Sequence, residues 1–415
     1  MVVVGAGFAG LQVVRRLASE PVDVTLLDQR NYNTFHPLLY QVATAGLDEG
    51  DVALPIRGIF EKASNVDVQL GRVVALDRTA RTLRLEDGAT VGYDQLVLAA
   101  GATTNDFGVP GVAEHAFPLY TLTEAIRLRE HVLGCFEATE RQPELIETGA
   151  LTFLIVGGGP TGVETAGTMA ELFTKVLSPG YRRAPVERAR VVLLEMGSDL
   201  LAQFRPASRR HAVETLTARQ VEVRFGARVA AVAEGSLTLS TGETLTARTV
   251  VWTAGVRANP LADLLGLRQS SGGRIVVGPD LAVPDAPEIF VVGDLAAPPS
   301  DRRGEVPQLA PVAMQEGRHA ADQILRRLRG QATRPFHYRD KGTMATIGRR
   351  AAVADLPLGI SLRGTVAWLA WLFLHLIFLM GFQNRAQVLV QWAWNYITWD
   401  WGPRLLLEAT DRHAP

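Results

Sequence analysis

The chain has 415 residues, 47% of them hydrophobic and 20% charged, an ordinary globular composition with room for two or three domains. Its formal net charge of -1 gives no broad pull toward nucleic acid, so no polynucleotide partner is expected. Cys135 is the only cysteine, which removes disulfides, paired-thiol redox chemistry and any all-cysteine metal site from one chain, and no metal centre is expected.

Strand residues begin at Val2 with no basic leader or apolar h-region ahead of them, which points to a cytoplasmic or cytoplasm-facing chain. The β-branched run Val2-Val3-Val4 leads into Gly5-x-Gly7-x-x-Gly10 and then a helical stretch, 11–18. In this spacing the first glycine turns the chain, the second admits a pyrophosphate, and the third lets the helix pack on the strand. The phosphate then meets the positive end of the helix starting near Gly7. A second strand, 24–27, ends in Asp28, whose carboxylate can accept both hydroxyls of an adenosine ribose. A glycine triplet alone can be a structural turn; its place between strand, helix and acid favours a dinucleotide site.

Next, Phe35-His36-Pro37-Leu38-Leu39-Tyr40-Gln41-Val42-Ala43-Thr44 mixes a ring base with bulky apolar groups and by itself reads as a buried loop. The run 93–102 is a buried parallel strand ending in Ala99 and Gly101, small residues that let backbone approach a cofactor.

The phosphate-holding device then recurs at Phe153-Leu154-Ile155-Val156-Gly157-Gly158-Gly159-Pro160-Thr161-Gly162, with Pro160 stiffening the helix entrance. One polypeptide is therefore expected to hold two dinucleotides. After a helix at 163–172 and the segment Ser178-Pro179-Gly180-Tyr181-Arg182-Arg183, the strand 189–194 ends in Glu195, later than the customary spacing of about 20 residues, which points to a longer helix plus loop between the two strands. Glu195 can bind an unmodified ribose and repels a 2'-phosphate, favouring NADH over NADPH. Arg182 and Arg183 weaken that preference unless they are solvated surface charges. Glu164 directly follows the fingerprint. Either its charge simply suits the helix start, or it lies beside nicotinamide and flavin, where it orients water or relays a proton. Near the far end, Ile289-Phe290-Val291-Val292-Gly293-Asp294 is a strand stopping at a glycine and an acid, suited to a ribityl or phosphate-side hydroxyl.

From residue 364 to 382 runs a dense apolar stretch, interrupted by His375 and bracketed by Arg363 and Arg385; its length just reaches what a bilayer crossing needs. A second segment, 388–401, carries Trp392, Trp394, Tyr396, Trp399 and Trp401, rings that suit the headgroup level of a membrane. Two helices lying on one membrane face are expected, with apolar surface buried and arginines reaching phosphates, in preference to a spanning helix or a protein-buried dimer surface.

The ordered set Gly5-x-Gly7-x-x-Gly10, the 35–44 segment, Gly157-Gly158-Gly159-Pro160-Thr161-Gly162-Val163-Glu164, Val292-Gly293-Asp294 and Ala310-Pro311-Val312-Ala313-Met314-Gln315-Glu316-Gly317, with the apolar tail, resembles the type II NADH:quinone oxidoreductases over nearly the full chain. The two glycine fingerprints alone fit the much larger pyridine nucleotide-disulfide oxidoreductase superfamily. The resemblance implies a single-subunit, non-pumping respiratory dehydrogenase of the α/β class with two Rossmann-like domains, the second inserted in the first. FAD would be held noncovalently at Gly5, Gly7, Phe8, Ala9, Gly10, Asp28, Gln29, Arg30, Ala99, Gly101, Gly293, Asp294 and Ala313. Gly157, Gly159, Pro160, Thr161, Gly162 and Glu195 would serve NADH. Glu164 and Gln315 would act in catalysis, and His36, Pro37, Gln41, Pro311 and Gln315 would border the quinone. Many relatives have a glutamine where this chain has Pro311, which cannot hydrogen-bond a quinone carbonyl, so recognition rests more on Gln315 or backbone groups.

The expected plan is an FAD domain from residues 1–112 and 281–330, an NADH domain at 113–280, and a membrane-associating and self-associating region at 331–415. Its chemistry would be hydride transfer from NADH to flavin and reduction of a membrane quinone, with a phospholipid surface and a second copy of the chain as partners, at the cytoplasmic side of the membrane. The alternatives are a sulfide:quinone oxidoreductase, which normally needs several cysteines, a soluble ferredoxin-type reductase, which leaves the tryptophan-rich tail without a purpose, and a flavin-bound membrane scaffold or redox sensor.

Overall fold

The computed structural model describes residues 1–300, 304–379, 381–398 and 404–406. The longer helices are, in chain order, α1 (Phe8–Leu17), α2 (Leu122–Arg141), α3 (Pro160–Glu171), α4 (Pro206–Ala218), α5 (Ala310–Leu328), α6 (Gly364–Phe378) and α7 (Phe382–Thr398). The chain divides into two compact units. One collects Met1–Thr34, Leu54–Thr103 and Val256–Lys341; the other collects Phe35–Ala53, Thr104–Gly255 and the residues from Gly342 on.

The first unit is built on a six-stranded sheet in the order Ala282–Val283, Ala286–Val291, Leu96–Leu98, Val2–Val4, Val24–Asp28, Val66–Leu70. All neighbours are parallel except the antiparallel edge strand Ala282–Val283. Val2–Val4 and Leu96–Leu98 are buried on both faces, which is why they read as continuous apolar runs with no polar alternation. Val2–Val4 lies between Val24–Asp28, its successor in sequence, and the much later Leu96–Leu98, so the strand order reverses beside it. Ligands of open parallel sheets bind at the carboxyl end of such a reversal. There the chain enters α1, whose buried face, Leu11, Val13, Val14 and Leu17, follows the helical repeat. Helix α5 packs on α1 so closely that a Cβ on Gly317 would strike the Ala9 carbonyl.

The second unit repeats the arrangement with a parallel sheet in the order Phe117–Pro118, Thr249–Trp252, Thr152–Val156, Arg190–Leu194, Glu222–Arg224. Thr152–Val156 again stands at the reversal and feeds α3. The flanking helix α2 starts at a reciprocal cap, Thr121 accepting the Glu124 N–H while the Glu124 carboxylate accepts the Thr121 N–H. Helix α3 runs on into a π-helical turn, Leu172–Leu177, past the expected 163–172, in keeping with the longer helix plus loop expected between these strands.

Within the same unit, Thr343–Thr346, Ala352–Asp355 and Ser361–Arg363 form an antiparallel sheet. Gly167 of α3 lets the Ile347 carbonyl approach, and Ala352, Ala354, Ala367 and Trp368 form the small core that seats α6 on this sheet. Asp355 ties it to α4 by accepting the Arg205 N–H at 2.7 Å and the Ser208 and Ser361 hydroxyls at 2.9 and 2.6 Å. Both expected C-terminal helices are present, at Gly364–Phe378 and Phe382–Thr398. The first has 15 residues, and among the described residues no helix is long and apolar enough to cross a membrane. Trp399 and Trp401 lie outside the described residues.

Candidate active site

At the carboxyl end of Val2–Val4, Gly5 takes φ +101, and a Cβ there would run into the Ala99 backbone. A Cβ on Gly10 would overlap the Gly5 carbonyl, so the first and third glycines answer to the protein itself. Gly7 differs: among the described residues nothing lies within 4 Å of the position its Cβ would take. Packing within the protein does not by itself require a glycine there. Asp28 closes the turn, its Oδ2 accepting the Ala6 N–H at 2.6 Å and its Oδ1 the Arg30 N–H at 2.8 Å. Burial pushes the Asp28 carboxyl above its ordinary range, partly offset by those two N–H bonds. Gln29 is exposed beside it, and Arg30 takes part through its backbone. Asn33, which sequence reasoning passed over, donates to the Ala6 carbonyl at 2.6 Å. Asn259 likewise donates to the Ala100 carbonyl at 3.2 Å, and its backbone N–H to that of Gly101, bracing the strand end that faces the turn. Gly293 stands next to Ala9 and Ala313.

The second turn reproduces the first. Gly157 takes φ +112 with its would-be Cβ 2.8 Å from the Ala254 Cα, a Cβ on Gly162 would strike the Gly157 carbonyl, and Gly159 again has nothing within 4 Å among the described residues. Glu195 accepts the Gly158 N–H at 2.7 Å and the Gly197 N–H at 2.6 Å, the same pair of bonds that Asp28 makes. Pro160 opens α3, followed by Thr161. The Arg182 and Arg183 side chains are exposed, and their backbone N–H groups bind the Glu140 carboxylate at 3.1 and 2.8 Å, as expected of surface charges.

Glu164, one turn into α3, does not cap the helix. It is 8% exposed and accepts the Thr346 N–H at 3.2 Å, with the Trp371 side chain also favouring its charged form. Burial lifts its carboxyl to about 8, against the pull of those two groups. Thr346 carries a chain of polar contacts onward. The Tyr40 and Thr346 hydroxyls are 3.4 Å apart, the Gln41 amide donates to the Tyr40 oxygen at 2.9 Å, and the Trp392 indole N–H donates to Gln41 Oε1 at 2.8 Å. A narrow cleft runs along this chain, lined by Tyr40, Gln41, Thr346, Trp368, Trp392 and Tyr396. His36 and Pro37 form the single turn before Tyr40, the His36 ring 5.2 Å from that of Tyr120. In the first unit, Pro311 occupies the first turn of α5. One turn on, the Gln315 amide pairs with the Arg339 backbone, donating to its carbonyl and accepting its N–H, both at 3.0 Å.

A pyridine nucleotide-disulphide oxidoreductase family model matches residues 1–317, and an NDH2 C-terminal domain model matches residues 341–398. The type II NADH:quinone oxidoreductase NdhA of Mycobacterium tuberculosis is 39% identical, over 96% of this chain and 87% of its own length. The Staphylococcus epidermidis type II NADH:quinone oxidoreductase is 29% identical, over 85% of this chain and 88% of its own. The chain belongs to the type II NADH:quinone oxidoreductases. Its fold agrees with that of NDH2 from Plasmodium falciparum, solved with NADH, at a TM-score of 0.87 and 19% identity over 98% of this chain and 99% of that one.

The type II NADH:quinone oxidoreductases use FAD, and the first turn fits it. It offers an open central glycine at a helix start and an ordered carboxylate at the end of the second strand. The fold is shared more widely, for a sulfide:quinone oxidoreductase from Aquifex aeolicus superposes at a TM-score of 0.71 with 19% identity. Sulfur chemistry finds no support in this member: Cys135 is the only cysteine, buried, and burial pushes its thiol to about 11.

Proposed function

We propose that the chain oxidises NADH at the second turn and reduces a membrane quinone, with FAD held at the first turn. The observation that carries this reading is the duplicated turn. In each unit the outer glycines are explained by backbone contacts, while the central one leaves open space at a helix start, room that a bound pyrophosphate would occupy. FAD, when bound, supplies the two-electron chemistry. The protein binds, orients and moves protons. Gly5, Gly7, Phe8, Ala9, Gly10 and Asp28 hold the FAD pyrophosphate and ribose, with Ala99, Gly101, Gly293, Asp294 and Ala313 around it. Gly157, Gly159, Pro160, Thr161, Gly162 and Glu195 hold NADH.

Glu164 is the proton-handling group. A buried carboxyl lifted to about 8 is mostly protonated at neutral pH and can give up a proton, and the Thr346 N–H and Trp371 side chain receive the charge that forms. His36, Pro37, Gln41, Pro311 and Gln315 are assigned to the quinone side. Gln41 has a hydrogen-bond partner at each end of its amide, so its role is to shape the pocket through Tyr40 and Trp392.

The apolar residues Val366, Leu369, Phe373, Ile377, Val390 and Ile397 are each about half or more exposed on α6 and α7, which supports attachment of these helices to a phospholipid surface. We place that surface at the cytoplasmic side of the membrane, and a dimer is the expected result of light scattering in mild detergent.

The reading is tested by anaerobic stopped-flow absorbance. NADH alone should bleach the yellow protein, and a soluble quinone added second should restore the colour. Bleaching without recovery would refute the quinone assignment, and no bleaching would refute the NADH site.

A further inference from the structure

Glu316, on the second turn of α5, has no solvent exposure, and one of its carboxyl oxygens accepts the Gly293 N–H at 2.6 Å. Its other oxygen, Oε1, is buried with no hydrogen-bond partner among the described residues. Gly293 needs the left-handed region, φ +73, and the positions around it are tight: a Cβ there would lie 3.3 Å from Ala9 Cβ and 3.5 Å from Ala313 Cβ. The next residue, Gly317, is pressed against the Ala9 backbone. Ala313, Glu316 and Gly317 thus form one surface beneath two features at once, the start of α1 and the turn that carries Asp294.

An ionised carboxylate with an unpartnered, fully buried oxygen is costly, whereas a neutral acid loses much less by burial. The charged groups facing it are Arg274, which favours ionisation, and Asp294, which opposes it. Burial outweighs both and lifts the carboxyl to about 8.

We propose that Glu316, as a neutral acid, is a positioning residue for the flavin. It clamps the Gly293 turn and so fixes Asp294 against the dinucleotide held at Gly5–Gly10. This inference rests on the first turn being the FAD site. When the clamp opens, Glu316 meets water and regains its ordinary acidity, so the opened state sheds a proton that the closed state keeps. Opening is then favoured progressively as pH rises from about 5 to about 8 and no further above it, by at most about tenfold per pH unit. The side chain introduced by Glu316→Gln accepts the same N–H and has nothing to ionise.

The experiment is urea-driven FAD release from the holoenzyme, followed by flavin fluorescence at several pH values between 5 and 9, for wild type, Glu316→Gln and Glu316→Ala. The expected result is that the Glu316→Gln variant retains FAD, that its advantage over wild type widens from pH 5 to 8 and then stays level, and that the Glu316→Ala variant releases FAD at lower urea at every pH. Comparison with Glu316→Gln cancels contributions from other buried acids. A pH-independent gap between wild type and Glu316→Gln would overturn the proposal even if the Glu316→Ala variant failed to fold. Wild-type protein that binds no FAD would overturn the site assignment and the proposal with it.

Discussion

Gly7 and Gly159 differ from the glycines around them in having open space where a side chain would grow, and both lie outside the left-handed region. Gly159→Ala should therefore leave the unfolding free energy within about 0.5 kcal/mol of wild type. Its effect should fall on NADH, with KM raised about tenfold and FAD content unchanged. Gly162→Ala, whose methyl would overlap the Gly157 carbonyl, should instead cost about 1–3 kcal/mol in urea unfolding. Equal stability losses for the two would remove the case for a ligand at Gly159. Glu164 makes a separate prediction. If it supplies a proton, wild-type quinone reduction should fall as pH rises through about 8, while Glu164→Gln should be slow and flat across that range. A wild-type profile retained by the variant would show that another group titrates.

At the scale of elements, α7 is pinned at Trp392, whose indole donates to a buried Gln41 oxygen. Trp392→Phe leaves that oxygen without its donor and should cost about 1–3 kcal/mol in chemical unfolding. On the outer side of α6, Leu369 is 55% and Phe373 67% exposed, so neither contributes much to stability. Leu369→Ser with Phe373→Ser should keep the melting temperature while lowering vesicle co-flotation at least about tenfold. Undiminished flotation would remove the case for lipid attachment through α6. Helix α6 shows why composition misleads about orientation. Its apolar run suggested a length near the crossing threshold, yet the helix stops at 15 residues, with Ala367, Trp368 and Trp371 turned into the protein.

For the whole molecule, two buried glutamates, Glu164 and Glu316, have carboxyls lifted to about 8. Each keeps a proton in the native state that the unfolded chain loses above its ordinary value near 4.5, so each makes unfolding easier as pH rises from there to about 8. The Glu164→Gln, Glu316→Gln double variant should gain urea resistance relative to wild type across that window and no more beyond it. A difference that does not change with pH would mean that neither acid is protonated in the folded chain.

What the sequence determined by itself is local. A strand, a glycine turn, a helix start and an acid ending the next strand are set by short-range sterics and backbone hydrogen bonding, so both turns were legible down to Asp28 and Glu195. The apolar density of the tail was legible for the same reason. Tertiary structure decided what surrounds the chemistry. The partner of Glu164, Thr346, is 182 residues away, Gln41 meets Trp392 across 351, and nothing in the helical pattern of α5 marks Glu316 as the acid beneath Gly293. Burial and long-range pairing set the protonation of these groups, and neither is a property of a residue's neighbours in sequence.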